Sequence, residues 1–201
     1  RRGQLTNHRK FGEDVAILAG DGLLNLAYET MLSAPVADER PAAALRAARE
    51  IALRAGVRGM IAGQTLDVKL EGHAPTAESV GYIHLHKTAD LLTAPLTAGL
   101  TLAGATGKQL EAGRTYGRQI GLAFQIVDDL LDLEGDAAVL GKETGMDAQR
   151  GKMTWPAVYG VEQSHADAHE AVRLAVEALA VFGPKAEFLC GLAKQTLVRT
   201  M

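Results

Sequence analysis

An all-α bundle of one domain is the fold class this sequence predicts, and three observations predict it. Strand signals are nearly missing: Val, Ile and Thr do not alternate with polar residues over any sustained run. Leu and Ala recur instead at helical spacings, so that apolar side chains collect on one face. The 201 residues hold no fixed-period repeat and no low-complexity tract, and that length supports one domain with a sizeable core.

Each element follows from local signals. "FGEDVAILAGDGLLNLAYETML", Phe11 to Leu32, predicts one long helix. A second is predicted from Pro41, a residue suited to a first helical turn, to about Leu70. A third starts near Thr76, whose hydroxyl can cap it, and runs to about Ala103. A fourth runs from Thr106 to about Glu134. Gly135 to Lys152 is rich in glycine and charge with little periodicity, and predicts a loop. Helices at Thr154–Gly160, Ser164–Phe182 and Pro184–Arg199 complete the series.

Composition narrows the function. The chain is 47% hydrophobic and 22% charged, with a formal net charge of -3, and no basic stripe is interleaved with aromatics, so a nucleic-acid partner is not expected. The single Cys190 cannot form an intrachain disulfide and fits a reducing, cytoplasmic location. No apolar run is read as long enough to span a bilayer, and no signal peptide or transmembrane segment is expected. The chain opens on Arg1-Arg2-Gly3 rather than Met, which suggests a fragment or the ordered part of something longer.

The chemistry concentrates in "FQIVDDLLDLEGD", Phe124 to Asp136. Asp128 and Asp132 lie one turn apart and share a helix face, with Asp129 about 100° round. Ile126, Val127, Leu130, Leu131 and Leu133 leave them a narrow polar stripe. Carboxylates crowded on one face repel unless a cation joins them. Mg²⁺ suits them, because it takes hard oxygen ligands and bridges a carboxylate or two to phosphates. Other helices carry matching marks: Gln64 and Asp67 one turn apart in "AGQTLDV", and His86-Lys87-Thr88. Lys142 and Lys152 follow in the glycine-rich stretch. Metal-binding acids with lysines and arginines nearby suit a polyanion such as a diphosphate.

These stretches resemble the trans-isoprenyl diphosphate synthases, the polyprenyl synthetase family that includes farnesyl and geranylgeranyl diphosphate synthases. The resemblance rests on "RRGQLTNHRKFGEDVAILAGDGLL", "GMIAGQTLDV", "HKT", "GLAFQIVDDLLD" and "LGKETGMDAQRGKMTWP", in the family's order and over nearly the whole chain. It implies a helical bundle of the isoprenoid synthase type with a central cleft, one catalytic domain over residues 1–201, and a homodimer. It also assigns roles. Asp128 would hold Mg²⁺ on the allylic diphosphate, with Asp129 and Asp132 in support. Lys87 and Lys142 would contact the departing diphosphate. Thr88 and Gln125 would face the cation. Arg1 would bind the allylic diphosphate and Arg2 the isopentenyl diphosphate. Gln64 and Asp67 would support substrate and metal. The family's first aspartate-rich motif stands just upstream of the Arg-Arg pair, and this sequence begins at that pair.

The implied reaction joins an allylic diphosphate (dimethylallyl, geranyl or farnesyl) head to tail with isopentenyl diphosphate, giving a short-chain farnesyl or geranylgeranyl diphosphate. Its barrier lies in charge separation, so cations placed where the leaving group's charge grows lower it. One unit charge pair at ~4 Å and an effective dielectric of ~20 contributes ~4 kcal/mol, and a divalent ion roughly doubles that. Metal loss should therefore hurt more than loss of one lysine. The glycine-rich segment from Gly135 to Gly151 is the expected lid over the cleft.

Three alternatives stand beside this. A di-iron bundle needs Glu-x-x-His on paired helices, and only Glu162–His165 offers one. A non-catalytic regulatory subunit would be expected to lose charged site residues that are kept here. A terpene cyclase normally lacks the Arg-Arg and Lys-Thr marks. His84 and His86, two apart, are not expected to act as joint ligands, and His165 and His169 are expected to be exposed.

Overall fold

A computed structural model describes residues 3–34, 39–134 and 151–198. Arg1, Arg2 and Lys142 lie outside the described residues, as does the expected lid from residue 135 to 150. Among the described residues every regular element is helical.

The first predicted helix forms from Glu13 on, and a short helix precedes it. Short α1 (Asn7–Phe11) and α2 (Glu13–Leu32) are separated by Gly12, whose φ of 94° only glycine adopts readily. The second splits, into α3 (Pro41–Ala55) and α4 (Met60–Lys69). The intervening turn is closed by the Gly59 N–H donating to the Gly56 carbonyl at 3.0 Å. Helical periodicity runs on through both breaks, which is why the apolar pattern alone did not reveal them.

The third helix starts as expected, with the Ser79 N–H donating to Thr76 Oγ1 at 3.2 Å. It runs as α5 (Ala77–Ile83), a π-helical turn (His84–Ala89) and α6 (Asp90–Leu102). The π turn is the feature that matters, because such turns re-aim side chains within a helix. Its six residues include His84, His86, Lys87 and Thr88.

α7 (Gly107–Glu134) is the central helix, capped reciprocally: the Gln109 N–H donates to Thr106 Oγ1 at 3.3 Å, and the Thr106 N–H to Gln109 Oε1 at 2.9 Å. It packs against α6, the π turn and α9 (Val161–Ala178). Short α8 (Trp155–Tyr159) leads into α9. After α9 a 3₁₀ segment (Leu179–Ala186) kinks at Gly183, between the two predicted helices, before α10 (Glu187–Leu197).

The core joins Tyr116, Ile120 and Ala123 of α7 to Ala171, Val172 and Ala175 of α9. Tyr116 donates its hydroxyl to the Leu189 carbonyl at 2.8 Å, and burial, with Cys190 adding, pushes that phenol up to about 12. Ile126, Leu130 and Ala168 extend the seam toward the C-terminal end of α7.

α2 differs from the rest. It touches α1 and α3 but has no buried residue, and Ile17, Leu18, Leu23 and Leu24 are all exposed. By length and composition alone it could cross a membrane, which corrects the reading that no run reaches that length. An apolar helix buried in a soluble assembly passes the same test.

Candidate active site

Close backbone packing builds the site. A Cβ on Gly63 of α4 would lie 2.2 Å from the Lys87 nitrogen, and one on Gly121 of α7 would lie 2.3 Å from the Ala89 Cα. Two glycines thus let α4 and α7 press on the π turn from different sides. That approach brings Asp67, one turn beyond Gly63, onto Lys87: Lys87 Nζ donates to Asp67 Oδ2 at 2.5 Å. Asp67 is buried, while the Lys87 side chain keeps 28% of its surface exposed. Lys87 therefore has donors left for an incoming anion.

On the α7 side, Thr88 Oγ1 donates to Gln125 Oε1 at 2.8 Å. Gln125 Nε2 donates in turn to Asp129 Oδ1 at 3.0 Å. A carboxylate can only accept, so this second bond fixes the amide with its oxygen toward Thr88. Thr88 and Gln125 thus bring two oxygen dipoles together from different elements, next to Lys87 in sequence.

The acids of "DDLLD" do not act alike. Asp129 is 4% exposed and turned inward. Its Oδ2 accepts from the Trp155 N–H at 2.8 Å and lies 3.1 Å from His84 Nε2. Asp132 is also buried, and with Asp129 it borders a cavity of about 340 Å³ that Lys152, Thr154 and Pro156 help to line. Asp128 is half-buried and does not line that cavity. The cavity therefore pairs Asp129 with Asp132, three residues on, where the sequence reading paired Asp128 with Asp132. Among the described residues no three His, Cys, Asp or Glu side chains gather as a metal site. Asp128 and Asp132 still offer the hard oxygen donors that suit Mg²⁺, which takes one or two carboxylates and fills its shell with phosphate and water. Gln64 is exposed on α4.

Sequence reasoning missed a second charged group. Arg54 donates to Glu50 Oε1 at 2.8 Å and to Asp90 Oδ1 at 2.7 Å, and His86 Nδ1 lies 2.8 Å from Asp90 Oδ2. Burial would raise the Glu50 carboxyl, but the Arg54 hydrogen bond and charge outweigh it, with Thr97 and Arg114 adding, and hold it below the usual range. The signal was present as an acid and a base one turn apart on one helix, Glu50 and Arg54. His165 and His169 are exposed, as expected.

A π turn carrying Lys-Thr, clasped between one helix with an aspartate and another with Gln and D-D-x-x-D, defines an all-α site of the isoprenoid synthase class. The polyprenyl synthetase family model matches residues 1–179, and the chain belongs to that family, the trans-isoprenyl diphosphate synthases. It is similar to geranylgeranyl pyrophosphate synthase 11, chloroplastic, of Arabidopsis thaliana, with 42% identity over 99% of this chain and 57% of that protein. Among solved structures it resembles an FPP/GFPP synthase from Zymomonas mobilis, with a TM-score of 0.85 and 31% identity over 98% of this chain and 65% of that one. It also resembles a Helicobacter pylori geranyltransferase complexed with magnesium and isoprenyl diphosphate, with a TM-score of 0.81 and 28% identity over 98% of this chain and 64% of that one. The chain spans just over half the length of the curated relative.

Proposed function

We propose that the protein is a short-chain trans-prenyltransferase that condenses an allylic diphosphate with isopentenyl diphosphate. The observation that carries this reading is the Lys87, Thr88 and Gln125 arrangement: a cation for a leaving diphosphate set beside two oxygen dipoles for the carbon it leaves.

The steps follow from charge. Lys87, already aligned by Asp67, holds the diphosphate and meets the negative charge that grows as the allylic C–O bond breaks. Thr88 Oγ1 and Gln125 Oε1 face the cation. Neither is a strong nucleophile here: Thr88 donates a hydrogen bond to the Gln125 amide oxygen, which is too weak a base to take its proton. The isopentenyl double bond then attacks the cation, and the adduct loses a proton to the departed diphosphate, the base that the first step leaves in the cleft. Asp128 and Asp132 would hold Mg²⁺, which supplies further charge on the departing diphosphate when bound. Arg1 and Arg2, as the diphosphate ligands, and Lys142 belong to this reading through the family resemblance, as does a product of farnesyl or geranylgeranyl length. The reading takes the cytoplasm as its compartment and a homodimer as its assembly, the latter supported by the exposed apolar surface of α2.

The test is incubation of the full-length protein with labelled isopentenyl diphosphate and each of dimethylallyl, geranyl and farnesyl diphosphate, with Mg²⁺ or with chelator. Label should enter a longer prenyl diphosphate in Mg²⁺ alone. A folded protein that incorporates none with any starter overturns the reading.

A further inference from the structure

We propose that His84, in its neutral Nε2–H form, is a positioning residue for the reaction centre: it fixes Asp129, and through Asp129 it orients the Gln125 amide toward Thr88. This rests on the function proposed above.

His84 is 1% exposed on the π turn, and its Nε2 lies 3.1 Å from Asp129 Oδ2. The carboxylate accepts, so Nε2 must carry the proton. Nδ1 is buried with no hydrogen-bond partner among the described residues. An unfilled lone pair there costs less than a buried N–H with no acceptor, which selects the tautomer with Nδ1 bare. The ring stacks on Trp155 at a centroid distance of 5.3 Å and an angle of 22°. Trp155 is held at its far edge, where Nε1 donates to Asp167 Oδ2 at 2.8 Å, and its backbone N–H donates to the same Asp129 oxygen as His84.

Asp129 Oδ2 thus accepts from the Trp155 N–H with His84 Nε2 3.1 Å away, and Oδ1 accepts from Gln125. Both carboxylate oxygens meet protein groups, which suits this acid to an orienting role. The order of contacts is His84, Asp129, Gln125, Thr88, each fixing the next. The chain also closes on itself, because His84 and Thr88 share the π turn. An α-helical turn there would place the two side chains differently, so the π geometry and the relay require each other.

The experiment compares His84→Leu with His84→Gln in the full-length protein. Leu fills the space without a donor, while Gln can place its Nε2 near the histidine Nε2. His84→Leu should lower kcat on the order of 10- to 100-fold, as expected for a reacting-centre group moved by a fraction of an ångström, with KM for both substrates within about twofold. His84→Gln should restore most of that loss. Equal kcat losses in both variants, a loss that follows KM instead, or a folded Leu variant with wild-type kcat would each overturn the proposal. Should His84→Leu fail to fold, ¹⁵N NMR of selectively labelled wild-type histidine decides: the Nε2–H tautomer supports the relay, and an Nδ1–H or doubly protonated ring overturns it. Should wild-type protein incorporate no isopentenyl diphosphate, the functional reading falls, and the NMR signature still decides the His84–Asp129 bond on its own.

Discussion

His86 and Lys87 are neighbours on one π turn, yet they belong to opposite kinds of cluster. His86 reaches Asp90, which is held by Arg54, which is held by Glu50. Every charge in that group meets another, and it ties α3 to α6. Lys87 reaches Asp67 and stops there, with part of its surface still open. Beside it Thr88 and Gln125 turn oxygens toward one place. The first cluster is closed and structural. The second is held from behind and open in front, which is what a binding group needs. Charge and burial are similar in both; what separates a lock from a tool is the donor capacity left over.

The comparison can be broken from either side. The largest expected effect is on the open side: Asp128→Ala in the full-length protein should lower turnover by about 10²–10³-fold or more, with helix content unchanged by circular dichroism. Near-normal turnover in saturating Mg²⁺ would remove Asp128 from the site. Next comes the closed side. Arg54→Leu leaves Glu50 and Asp90 without their shared cation, and should cost about 3 kcal/mol of stability in denaturant unfolding, while kcat of the folded fraction stays within a few-fold. A large kcat loss with little loss of stability would place Arg54 in the tool rather than the lock.

A smaller effect sharpens the same point through pH. Glu50 has a lowered pKa in the fold, so its stabilisation is present above the unfolded carboxylate value and is lost as pH falls through the folded one. Glu50→Gln should therefore flatten the acid limb of a melting-temperature profile and leave its neutral-to-basic part parallel to wild type. An unchanged acid limb would mean that Arg54 does not stabilise the ionised form. The smallest effect belongs to α2: Leu24→Ala, at an exposed site, should change subunit stability by no more than about 0.5 kcal/mol. In the assembled protein, where the proposed dimer covers this helix, the same substitution should cost more than in the isolated subunit, and an equal effect in both would take α2 out of the dimer surface.

The fold class was legible because periodicity and caps are local. Thr76 and Thr106 start their helices where their hydroxyls predicted, and the length of α7 follows from one unbroken pattern. The breaks at Gly12 and between Gly56 and Gly59 were not legible, because a glycine in a helical pattern signals either a break or a close contact. Gly63 and Gly121 are the second kind. Of the site, Lys87 meets Asp67 and Thr88 meets Gln125, two pairings that residue type alone did not specify. The aspartates were legible as a set but not one by one. Apolar neighbours said that "DDLLD" is partly buried, and burying Asp129 demanded donors, but nothing local named His84, 45 residues earlier, as one of them. The π turn that brings His84 there leaves no mark in residue type or spacing.

The central claim is that the Lys87 side of the π turn is where an allylic diphosphate ionises. A crystal structure of the full-length protein with Mg²⁺ and an unreactive thiolo analogue of the allylic diphosphate tests it most directly. The account predicts Lys87 Nζ in hydrogen-bond contact with the diphosphate, and Thr88 Oγ1 and Gln125 Oε1 facing the first carbon of the chain. A diphosphate bound away from Lys87, or that carbon turned from both oxygens, would contradict it.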